Sequence, residues 1–188
     1  MKKLFLTIAA LLLTSVAFAQ TAEELKAERQ QLKSEMTSKD YQKMEKKYAK
    51  LGDTPQATSL NSVNGIVNAS ASILTTVASS ENLLSQFKTE IKENADGDID
   101  ITKYSANLED YEQTATALGV AALEAKAAAE QLKSAKDEVK GLAPMEAKNV
   151  TKSINWSATA LDVSAQKIEI NTRLINNLIK SCKAAKNL

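Results

Sequence analysis

The chain has 188 residues, with 24 Lys+Arg against 23 Asp+Glu, no histidine, one cysteine and one tryptophan. These counts exclude a histidine-based metal site, a Ser-His or Cys-His nucleophile, an intrachain disulfide framework and a globally basic nucleic-acid binder.

The N-terminus has the pattern of a removable secretory signal over residues 1–19. Met1-Lys2-Lys3 is a positive opening, Leu4 to Val16 is an apolar run, and Ala17-Phe18-Ala19 offers small residues where a signal peptidase reads, with Gln20 as the new N-terminus. The apolar run is shorter than the ~20 residues a spanning helix needs. The segment resembles Gram-negative secretory signals, so the expected address is the periplasm or the cell exterior. Setting Lys2 and Lys3 aside leaves 22 Lys+Arg against 23 Asp+Glu, a net of −1 over residues 20–188. That stretch is one domain's worth of chain.

Helix punctuation divides residues 20–188 into four predicted helices, about 22–51, 55–94, 100–140 and 144–186. Thr21-Ala22-Glu23-Glu24 is a capping box for the first. Lys46, Lys47 and Lys50 then precede Gly52, a cationic helix end before a left-handed stop. Thr54-Pro55 reads as a cap and first-turn proline for the second helix. The acidic turn 94–100 separates the second helix from the third, and Gly141 with Pro144 repeats the stop and restart before the fourth.

Seven-residue periodicity unites these segments. In the second helix, steps of three and four link Val63, Ile66, Ser70, Ile73, Val77, Ser80, Leu84, Phe87 and Ile91. The third runs from Ile101 through Tyr104, Leu108, Tyr111, Ala115, Leu118, Ala122, Ala125, Ala129 and Leu132 to Val139, broken only at Lys136. The fourth gives Ile154, Ala158, Leu161, Ala165, Ile168, Thr172, Ile175, Ile179 and Cys182. Seams of this length predict helices packed side by side, and short connections make neighbours antiparallel. The fold class expected is all-α, an elongated antiparallel four-helix bundle with coiled-coil-like seams. The first helix has a thin stripe, with Leu25 and Leu32 in one phase and Tyr41, Met44, Tyr48 and Leu51 in another. It is expected to bend or break near Ser38, or to dock loosely on a three-helix core.

Several stretches invite a functional reading. Residues 54–80 carry no charge. As a membrane span, the seven Leu, Ile and Val of Leu60 to Ala78 would gain about 2 to 4 kcal/mol. The eight Asn, Ser and Thr of that window at ~0.5 to 2 kcal/mol each cost more, so a helix buried on one face is the stronger reading. The turn at Asp96, Gly97, Asp98 and Asp100 fails the calcium-loop pattern, because Lys92, Ile101, Lys103 or Asn107 falls where a ligand or glycine belongs. A helix cap from Asp98 or Asp100 is expected instead. Glu109, Asp110 and Glu112 lie close together but are expected to face water beside the seam. Cys182 lies on the apolar stripe, as a buried thiol. The fourth helix carries a second apolar face, Trp156, Val163, Ile170 and Leu174, which needs cover from the first helix or another chain.

No motif is specific enough to import a chemistry. No catalytic, cofactor-binding or metal-ligating residue is assigned, no cofactor is expected, and the chain reads as no enzyme. The expected function is an exported helical interaction or scaffold protein of a bacterial cell envelope, acting through helix faces on a protein partner or on itself. The alternative is a membrane-active or pore-forming protein using the uncharged 54–80 segment. Nucleic acid is not an expected partner, and membrane contact is not favoured.

Overall fold

A computed structural model describes residues 20–94 and 96–186; the expected signal segment, 1–19, lies outside them. Among the described residues five α-helices pack against one another: α1 Ala22–Thr37, α2 Lys39–Ala49, α3 Asn61–Glu93, α4 Leu108–Glu138 and α5 Pro144–Lys186. Single 3-10 turns occupy Ile101–Lys103, Ser105–Asn107 and Val139–Gly141. No strand occurs among the described residues.

The expected first helix is two. Thr21 and Glu24 form the capping box, with Thr21 N donating to Glu24 Oε2 at 2.8 Å and Glu24 N to Thr21 Oγ1 at 3.2 Å. The helix then breaks at Ser38, which sits at φ −65°, ψ 154°. Its N–H closes α1 on the Glu35 carbonyl at 3.1 Å, while its Oγ accepts from Tyr41 N at 3.2 Å to open α2. One serine thus caps both halves. Gly52 stops the arm at φ +70°, as a left-handed glycine should.

The second helix begins at Asn61 rather than at 55. Residues 50–60 instead form an irregular strap, because Thr58 and Asn64 clasp each other. Thr58 N donates to Asn64 Oδ1 at 2.7 Å, and Asn64 Nδ2 returns to the Thr58 carbonyl at 2.9 Å. The third helix enters through two 3-10 turns, the first capped by Asp100, whose Oδ1 accepts from Thr102 N at 3.2 Å. Gly141 is not left-handed; α4 tightens there into a 3-10 turn. The fourth helix starts at Pro144, where its proline predicted it.

All nine predicted seam positions of α3 are buried. In α4, Tyr111, Leu118, Ala122, Ala125 and Leu132 are buried and Lys136 is exposed. The 43-residue α5, about 65 Å long, is the hub. It runs parallel to α3 and antiparallel to α4: Ser62 meets Glu138 at one end (2.8 Å), and Glu112 meets Lys183 at the other (2.6 Å). The α1–α2 arm lies antiparallel to α5 over its C-terminal half. There the bundle has four layers; beyond Asp162 it has three, plus the strap.

The arm is seated rather than loosely docked. Leu25, Leu32, Met36, Tyr41 and Met44 are all buried. Its apolar stripe looked thin because much of its contact is polar.

Candidate functional site

Two polar junctions fasten the arm. The first lies where α1, the 94–98 turn and the end of α5 meet. Gly97, at φ +73°, lets its carbonyl face α1. An added Cβ there would sit 3.2 Å from Gln30 Cγ and 3.3 Å from the Lys26 carbonyl, so a side chain would both strain the left-handed backbone and press on α1. Arg29, 7 % exposed, donates Nε to the Gly97 carbonyl at 2.7 Å and Nη1 to Asn177 Oδ1 at 3.1 Å and Ser181 Oγ at 3.2 Å. Asn177 Nδ2 in turn donates to the Leu25 carbonyl at 2.9 Å and to Glu28 at 3.0 Å. Burial lowers the Arg29 pKa while Asp98 and Glu28 oppose that effect; the guanidinium remains a cation.

The second junction is ionic and lies between α2, α3 and α5. Lys167, 1 % exposed, reaches Glu45 at 2.6 Å and Glu81 at 3.4 Å, with its ammonium 4.5 Å from the centre of the Tyr48 ring. Lys88 reaches Glu81 at 2.6 Å, and Asn171 Nδ2 donates to both Ser80 Oγ and Glu81 at 2.8 Å. Burial would raise the Glu81 carboxyl, but Lys88, Lys167 and the Asn171 amide hold it below the usual carboxylate range. Burial outweighs Glu81 at Lys88 and leaves that ammonium lowered. Burial, with Glu81 and Glu45 facing it, pushes the Tyr41 phenol up. A buried network of this kind adds little net stability over apolar packing of the same shape, but removing one partner is costly.

Beside this junction opens a shallow cleft of about 190 Å³, lined by Glu35, Ser38, Asp40, Tyr41, Met44, Gln166, Glu169 and Ile170. Burial raises the Glu169 carboxyl, with Arg173 opposing and Glu35 adding to the rise. Among the described residues no group of three or more acidic or cysteine side chains is placed to hold a metal.

The features singled out in the sequence disperse. Asp98 pairs with Lys26 at 2.8 Å and Asp100 caps a 3-10 turn, so the acidic turn is a docking point for α1. Glu109 and Asp110 are exposed, and Glu112 pairs with Lys183. Cys182 is fully buried, and burial raises its thiol. Val163 and Leu174 are buried and Ile170 half-buried, while Trp156 is half-buried with its indole N–H unpartnered among the described residues. Within 54–80, residues 54–60 belong to the strap and 61–80 to α3. No described helix is long and apolar enough to cross a membrane.

The sequence reading of 54–80 as a helix buried on one face with a Ser/Thr/Asn face elsewhere agrees with α3, and the structure extends that face to Thr89. Asn61, Gly65, Asn68, Ser72, Thr75, Ser79, Asn82, Gln86 and Thr89 are all exposed and follow the same three-four stepping as the buried seam. The signal was available as the complement of the seam. Over about 42 Å this line carries no charge. The Thr75 and Thr89 hydroxyls donate back to the Ala71 and Ser85 carbonyls at 3.0 Å each. These hydroxyls therefore bring their own acceptors.

Compared with protein-family models, curated proteins and solved structures, the chain matches none.

Proposed function

We propose that this chain is an exported, non-enzymatic helical interaction or scaffold protein of a bacterial cell envelope, engaging a protein partner through its helix faces. Export rests on the N-terminal pattern of residues 1–19. The observation that carries the interaction reading is the uncharged exposed line of α3 from Asn61 to Thr89. Protein surfaces ordinarily carry about 25–35% charged residues, whereas the centres of interfaces are depleted of them. Short side chains with partly self-satisfied hydroxyls let another helix approach closely at small desolvation cost.

The test is site-directed photocrosslinking in intact cells. A photoreactive residue at Ser72, Thr75 or Ser79 should capture a defined protein, while the same group at Glu130 on α4 should not. Equal capture from both faces, or none from α3, would remove the support for this reading.

A further inference from the structure

We propose that the exposed face of α3 pairs with the same face of a second copy of this chain, antiparallel, about a two-fold axis at Thr75. This pairing rests on the interaction reading above and gives that face its partner. The observation that carries it is the order of side chains along the face. Outward from Thr75 the exposed line runs to Ser72 and Asn68 in one direction, and to Ser79 and Asn82 in the other. Asn-Ser-Thr-Ser-Asn reads the same from either end.

An isologous interface demands that property, because wherever residue i meets j, j must also meet i. Asn68 and Asn82 each lie seven residues from Thr75, and Asn61 and Thr89 each lie fourteen. A second helix turned end over end about Thr75 therefore sets its Asn82 against Asn68, its Ser79 against Ser72 and its Thr89 against Asn61. Amides and hydroxyls both donate and accept, so each of these pairs is complementary. The line carries no charge, so along it a second copy brings no like-charge repulsion.

The flank of α4 nearest α3 widens the surface. Val120 lies five full turns before Glu138, on the helical line of the residue that reaches Ser62 on α3. Val120 is 52 % exposed, and Ala117 and Ala127 beside it are exposed too. By the same count Glu130 shares the line of Glu112, which reaches Lys183 on α5, and so lies off this flank.

The surface is modest. About 42 Å of α3 and about 15 Å of α4, each about 10 Å wide, bury about 1,100 Å² between two copies, the lower edge of specific interfaces. The flank carries one charge between Ala117 and Ala127, Glu124, and the two-fold draws both of its carboxylates toward the axis. The pairing is accordingly weak and dependent on concentration.

The experiment places single cysteines on the exposed line, leaves the buried Cys182 in place and adds a short bifunctional maleimide to purified chains. Thr75→Cys should link to itself. Asn68→Cys mixed with Asn82→Cys should link chain to chain, several-fold above the wild-type background and rising with protein concentration. Asn68→Cys alone should give no such product, since its two copies lie about 21 Å apart along the antiparallel pair. Thr75→Lys sets two ammonium groups at the axis and should weaken dimerisation at least ten-fold in sedimentation, with the wild-type helical circular dichroism retained. Asn68→Cys linking to itself as strongly as the mixture would overturn the proposal, because it marks a parallel or unspecific contact. An unchanged dimer in Thr75→Lys, or no linking from any of these chains, would overturn it too. The interaction reading would then stand only if the photoreactive residue at Ser72, Thr75 or Ser79 captures a different protein.

Discussion

Arg29 donates its Nε to the carbonyl of Gly97 at 2.7 Å, tying the first helix to a turn 68 positions later in the chain. The bond exists because Gly97 adopts φ +73° in direct contact with α1. A charged donor on a backbone acceptor, buried at both ends, is among the stronger hydrogen bonds of a fold.

Gly97 and Gly52 provide a matched comparison. Both are left-handed, but a Cβ at Gly52 meets nothing within 4 Å, whereas one at Gly97 meets Gln30 and the Lys26 backbone. Gly52→Ala should cost about 1 to 2 kcal/mol from the backbone alone. Gly97→Ala should cost roughly 3 kcal/mol, since α1 must also shift. Urea denaturation of both variants measures the difference; equal midpoints would deny the close approach.

Glu81 sets an acid limit on stability. Its carboxyl is held below the ordinary value near ~4.3 by Lys88 and Lys167 against the effect of burial. A carboxylate lowered in this way contributes stability above its unfolded pKa and loses it as the pH falls through its folded value. The groups around it are Lys88 on α3, Lys167 and Asn171 on α5, and Glu45 and Tyr41 on α2. Glu81→Gln should cost about 3 kcal/mol at neutral pH, because the buried Lys88 ammonium loses its carboxylate while Lys167 keeps Glu45 at 2.6 Å. It should also flatten the decline of stability below about pH 4.3. Melting temperature against pH, for both chains, reads out both effects.

Ser157 and Ser164 are fully buried on α5, and neither hydroxyl has a partner among the described residues. Replacing a buried unpaired hydroxyl by hydrogen removes a desolvation cost. Ser157→Ala and Ser164→Ala should each stabilise the chain by about 1 kcal/mol. A loss of stability in urea denaturation would mean that these hydroxyls are bonded after all.

Cys182 should be inert while the chain is folded. It is inaccessible, and burial raises its thiol, so little thiolate is present to react. A thiol reagent should label it in denaturant and leave it untouched in buffer at neutral pH; rapid labelling of the native chain would mean that α5 frays at its C-terminal end.

Much of this architecture is legible in the sequence because a helix seam is a local, periodic property. Val63 to Ile91 and Ile154 to Cys182 repeat with the spacing that brings one helical face round to a neighbour, and no distant information is needed to see it. Ser38 is legible for a similar reason: the apolar phase changes on either side of it, so one straight helix cannot bury both halves. The candidate surfaces were harder to find. Arg29, Lys167 and Lys88 look like solvated charges in the sequence, and only their partners at Gly97, Glu45 and Glu81 make burial tolerable.

By itself, then, the sequence determined the all-helical class, the seams of the long helices and the break at Ser38, each through periodicity and capping within a few residues. The tertiary structure alone decided that residues 50–60 form a strap and that the arm is held by buried ions. It also decided that α3 keeps one face without charge in the open. Each of these depends on which groups meet across the bundle, through contacts that no local pattern encodes.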